Sequence, residues 1–278
     1  MRRFIFACFA LLAQEVRATR KTLLSTIGIL LLVAAVSLVL TGLRVPVLGS
    51  LGLYIGMISV ILIVPVVLGI LAENYWRTMY GREGYFTMTI PVRGRTLYTA
   101  KTVYGVIASI VALAITAIGL LGGAFAAALS MGEDPWDFIR DGLTQIQPWM
   151  VWLGVLGMTL QVAFLVVVGA SVMTIGAEGR FNHLGFGAPV IGAVILYLVM
   201  QAVTFVGILF IPFGVRLTGP DAGELVAQGM LDGVIAAIAE PTSQPEVLGL
   251  GFVFTSFVVM AVLAWWGARS VERHTSLR

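Results

Sequence analysis

The sequence predicts an all-α integral membrane protein with six transmembrane helices, on three observations: its composition, the length of its apolar runs and the placement of its basic residues. Hydrophobic residues make up 59% of the chain and charged residues 11%, whereas a soluble domain carries about a quarter of its residues charged. Such a stock cannot furnish a water-facing surface. Crossing hydrocarbon takes roughly 20 apolar residues, and runs of at least that length take up nearly all of the 278 residues. No separate soluble domain is left over, and residues 1–278 read as a single transmembrane domain.

The six spans are read at 22–42, 51–71, 99–129, 149–177, 188–210 and 247–268. Gly52 and Gly56 in the second have the GxxxG spacing that lets a neighbouring helix approach closely, and Pro65 should kink it. The third and fourth exceed a minimal span and should tilt or protrude.

Charge sets the expected orientation. With the N-terminus inside, every basic residue except Arg44, Arg140 and Arg216 falls in 1–21, 72–101, 178–187 or 269–278. Basic flanks mark the cytoplasmic side, so both termini are expected there. The acids lean outward, with Glu133, Asp134, Asp137 and Asp141 in one outer segment and Glu224, Asp232 and Glu246 in another. The net charge of +3 is thus a matter of topology, and no nucleic-acid partner is expected.

Residues 1–21 have a start, MRRFIFACFALLA, that resembles a signal peptide. At 100° per residue, however, Ile5, Phe9, Leu12 and Val16 share one face and Arg3, Gln14, Arg17 and Lys21 another, with Glu15 intruding near the apolar side. That pattern describes an amphipathic helix in the membrane interface, its basic residues beside anionic headgroups.

No Asp, Glu, Lys, Arg or His is read in the middle of a span, where ion-coupled transporters keep their relays. His183 and His274 sit in no metal or catalytic pattern, the single Cys8 allows no internal disulfide, and neither Lys21 nor Lys101 completes a GxxxxGK[ST] phosphate cradle. No metal, no cofactor and no catalysis are therefore expected in this chain. Lys21 and Lys101 are the only lysines among 17 basic residues; this excess of Arg hints at a GC-rich bacterial genome, and so at a bacterial cytoplasmic membrane.

The loop between the second and third spans, 72–98, is long, basic and aromatic, with Tyr75, Trp76, Tyr80, Tyr85 and Phe86. Such residues suit a protein interface or the membrane surface, and composition does not separate the two. Within it, YGREGYFTMTIPVRGRTLYTAK resembles the cytoplasmic loop of type-2 ABC transporter permeases, at Glu83, Gly84, Pro91, Arg93 and the Lys101 that opens the third span. The resemblance implies a permease subunit that dimerises with an identical or related chain. Cytoplasmic ABC ATPase subunits would power it, with ATP and Mg bound on those partners. It also implies a coupling helix, so that Tyr80, Arg82, Glu83, Gly84, Tyr85, Phe86, Pro91 and Arg93 become candidates for contact with the ATPase. The segment 178–187, EGRFNHLGFG, would be a smaller second contact.

Outside, Glu224, Gln228 and Asp232 recur every four residues while Val226, Met230, Val234 and Ile238 mark another face, so an amphipathic helix is expected at 222–239 within the insert 213–246, begun by Pro220 and Asp221 and stopped by Pro241. In the resembled family, short helices here dip into the outer leaflet. The segment 130–148 is expected only to cap the third and fourth spans.

Gln161 and Gln201 are the largest polar side chains inside the spans, and each needs a hydrogen-bond partner. With Tyr197 and Met200 they are candidates for a translocation path, which would suit a hydrophobic or amphipathic cargo. The expected function is the permease subunit of an ATP-driven exporter working by alternating access. Two other classes stay open: a non-transporting anchor or sensory partner, and a lipid-modifying enzyme, for which convergent catalytic side chains are missing from the sequence.

Overall fold

The computed structural model describes residues 2–81, 83–89, 91–219, 223–239 and 246–273. Among the described residues the structure is 82% helical, and six helical stretches, one of them broken in two, are long and apolar enough to cross a membrane. The chain forms two compact units, one running to Ala170 and the other starting at Ser171.

The first unit begins with α1, Arg2–Gly42. The stretch read as an interfacial helix is helical and runs into the first span without a break. At 1.5 Å per residue this helix is about 60 Å long, twice the hydrocarbon thickness. The second span is split into α2, Leu48–Ile61, and α3, Ile63–Met79. Pro65 explains the break: it has no N–H to offer the Ile61 carbonyl, and its ring crowds that oxygen. The close packing expected of Gly52 and Gly56 is present. A Cβ on Gly52 would stand 2.5 Å from the Ser37 carbonyl oxygen and one on Gly56 2.8 Å from the Leu38 side chain, so α2 lies directly on α1.

After the short α4, Gly84–Thr89, the long α5 runs from Gly94 to Met131. Gly119 accommodates Val60 of α2, and Ile63, Val67 and Leu71 of α3 form a buried cluster with Tyr104 and Ala112 of α5, against which Leu12, Leu23 and Ile27 of α1 pack. Gly132 ends α5 in the left-handed conformation, φ 86°. Arg44 Nε donates to the Leu129 carbonyl at 2.9 Å, closing the same end. The segment expected only to cap two spans contains α6, Pro135–Thr144, begun by an Asp134 side chain that accepts from the amides of Trp136 and Asp137. The helix α7, Pro148–Gly176, then carries the chain out of the first unit.

In the second unit a 3-10 turn at Gly179–Leu184 leads to α8, Gly187–Phe210, and α10, Phe252–Arg273, is the last helix. Gly207 of α8 brings the two helices together: a Cβ there would meet Thr255 at 3.0 Å. Between them the expected helix at 222–239 is only partly present. Leu225–Val226 is a strand, β2, and the helix α9 covers Leu231–Ala239. β2 pairs antiparallel with β1, Gly214–Arg216, and β1 with β3, Val247–Gly249, giving the order β2-β1-β3 with Val215 opposite both Leu225 and Leu248. Strand pairing overrides the apparent four-residue period, and Gly223, at φ 90°, ends the turn into β2. Pro220, Asp221 and Pro241, expected to bound the helix, lie outside the described residues, as does His274.

Candidate functional site

The basic aromatic loop carries α4 between the ends of α3 and α5. Pro91 stands two residues beyond the end of α4 and cannot extend it. Tyr85 and Phe86 are 69% and 75% exposed, their rings edge to face at 6.4 Å. Glu83 is half exposed and meets Arg77 of α3 at 3.3 Å, while Arg77 also reaches Glu73 at 3.6 Å. Gly84 is buried and its amide donates to the Gly81 carbonyl. Pro91 is exposed, and Arg93 is the exposed residue that precedes α5. Tyr80 differs from the others: it is buried, its ring tilted against Tyr75 and Trp76, and so serves the base of the loop and not its outer surface. Arg82 falls outside the described residues.

Beneath the loop lies a polar network that sequence reasoning missed. Glu15 of α1 is buried and forms an ion pair with the buried Lys101 of α5. Its second oxygen accepts from Asn74 Nδ2 of α3 at 2.9 Å. Lys101 Nζ also donates to Thr78 Oγ1 at 2.8 Å, and that hydroxyl in turn donates to the Asn74 carbonyl at 2.6 Å. The circuit closes on itself, with each named donor given an acceptor. One turn along α1, Thr19 Oγ1 bonds Tyr104 of α5 and donates to the Glu15 carbonyl. The inward stripe of this helix is therefore Leu11, Glu15 and Thr19, spaced by four, whereas Phe9 and Val16, expected to define its apolar face, are exposed.

Comparison with protein-family models, curated proteins and solved structures gives no match.

In the second unit a related arrangement holds the segment read as a smaller contact. Glu178 is buried, accepts from Ser270 Oγ of α10 at 2.9 Å and pairs with Arg180 Nε at 2.8 Å. Arg180 also lies over the Phe181 ring. A cavity of about 410 Å³ beside them is lined by Glu178, Gly179, Arg180 and Trp266.

The residues considered for a translocation path fall on α7 and α8. Gln161 is exposed on α7 within the first unit. In the second unit Gln201 Nε2 donates to Tyr197 Oη at 2.7 Å, one turn away on the same helix, and both are exposed, with Met200 partly covered. The hydrogen-bond partner that Gln201 needs is thus supplied within α8. Among the described residues no group of three or more His, Cys, Asp or Glu could hold a metal ion.

Proposed function

We propose that this chain is the membrane-spanning subunit of an ATP-driven exporter, docked through α4 onto a separate cytoplasmic ATPase. The observation that carries the reading is the exposed pair Tyr85 and Phe86 on a short helix whose base is held by the Arg77–Glu83 contact. Adjacent aromatic side chains on a fixed element supply contact area at low entropic cost, and a flanking charge sets register. The basic residues around the loop support a cytoplasmic location, with both termini on that side. On this reading the partner binds ATP and Mg, two permease chains form the path, and nucleotide binding shifts the population between inward- and outward-facing states. The apolar, exposed faces of α7 and α8 support a hydrophobic or amphipathic cargo, a second permease chain and lipid as their neighbours. Residues 1–21 would meet the headgroups of the inner leaflet with their outward face, where Arg17, Arg20 and Lys21 are exposed.

Glu83→Arg and Phe86→Ala test the reading. Each should weaken ATPase association, by about 1–4 kcal/mol for a position central to an interface, while membrane insertion and permease dimerisation stay intact. If Tyr85 and Phe86 merely rest at the membrane surface, both variants bind the ATPase as the wild type does, and the docking assignment fails.

A further inference from the structure

We propose that Glu15 and Lys101 are positioning residues of the docking loop, fixing the register of α1 against both stems of the loop and so the place where α4 stands. This rests on the reading of α4 as the ATPase contact.

The geometry assigns them the role. The loop leaves α3 just after Thr78 and returns through the first turns of α5, which contain Lys101. Glu15 grips both stems at once, Lys101 with one carboxylate oxygen and Asn74 with the other, and Thr78 joins the stems to each other through Lys101. Thr19 and Tyr104 repeat the link between α1 and α5 one turn away. Holding helices together does not require charge, because well-packed apolar residues in place of a buried ion pair are often as stable or more so. What an ion pair adds is a single satisfied alignment: a slip along either helix leaves a carboxylate or an ammonium buried without its partner. The register is thereby defined where apolar side chains, which tolerate sliding, would leave it loose.

The test separates register from adhesion. Spin labels at Ala18→Cys of α1 and Thr89→Cys of α4, in a Cys8→Ser background, report the distance between the first helix and the loop in the chain alone. The chain with Glu15 and Lys101 intact should give one narrow distance. The apolar double variant Glu15→Leu with Lys101→Met should remain folded but lose the narrow peak and, with the ATPase present, lose stimulated hydrolysis. The exchanged pair, Glu15→Lys with Lys101→Glu, should recover both, because Asn74 and Thr78 can each donate or accept. A narrow, unshifted distance in the apolar variant, or a broad one in the exchanged pair, overturns the proposal. Because the distance is read without the ATPase, failure of every form, wild type included, to bind an ATPase would sink the docking reading and leave the positioning claim to be decided by the distances.

Discussion

Glu15 and Glu178 are the two buried acids among the described residues, one in each unit, and they are held in different ways. Glu15 is paired with Lys101, 86 positions away and itself buried, so the charge pair is itself a tertiary contact, beside the bond from Asn74. The cation beside Glu178 is Arg180, only two residues along the chain, and its side chain is 58% exposed; the long-range bond to Glu178 comes instead from the neutral hydroxyl of Ser270. In the first unit opposite charges meet across two helices, out of water. In the second a hydroxyl makes the tertiary link and the charge is balanced locally, beside a cavity that Trp266 also lines. The contrast matches what each supports: a helix-bearing loop in one case and a single 3-10 turn in the other.

Substitutions can break that comparison in a graded order, read as shifts in reversible unfolding in mixed micelles. Lys101→Met should have the largest effect, about 3–5 kcal/mol, because it strands the Glu15 carboxylate inside the protein. Ser270→Ala should be intermediate, about 1–3 kcal/mol, since one oxygen of Glu178 loses its donor while the other keeps Arg180. Arg180→Ala should be smallest, about 0–1 kcal/mol, because a half-exposed partner is already screened and water in the adjoining cavity can replace it. An Arg180→Ala loss equal to that of Lys101→Met would erase the distinction between the two sites.

The spans were legible because hydrocarbon demands long apolar runs, and their ends were less so because hydropathy marks the membrane and not the helix. Thus α3 continues past Leu71 through the polar Glu73, Asn74 and Arg77, and α5 begins at Gly94, ahead of the apolar run. Residues 247–249 look like the start of a span, but their backbone pairs with β1, and no local pattern announces a partner more than 30 residues away. The start of α6 is marked in the sequence, since Asp134 followed by Pro135 is an N-cap and first-turn signature. At the candidate site, the exposed aromatic pair and its short helix could be anticipated from sequence. The buried network could not be assembled that way, because Glu15, Asn74 and Lys101 meet only through tertiary packing, although the four-residue stripe of Leu11, Glu15 and Thr19 was the available sign that the inward face is partly polar.

The central claim, that this chain transmits work from an ATPase docked at α4, is tested most directly by the hydrolysis rate of the partner ATPase in vesicles containing the wild-type chain, the Phe86→Ala chain or neither. The account predicts stimulation by the wild type and its loss with Phe86→Ala at equal membrane insertion. A rate indifferent to the chain, equal stimulation by both forms, or ATP hydrolysis by the purified chain alone would contradict it.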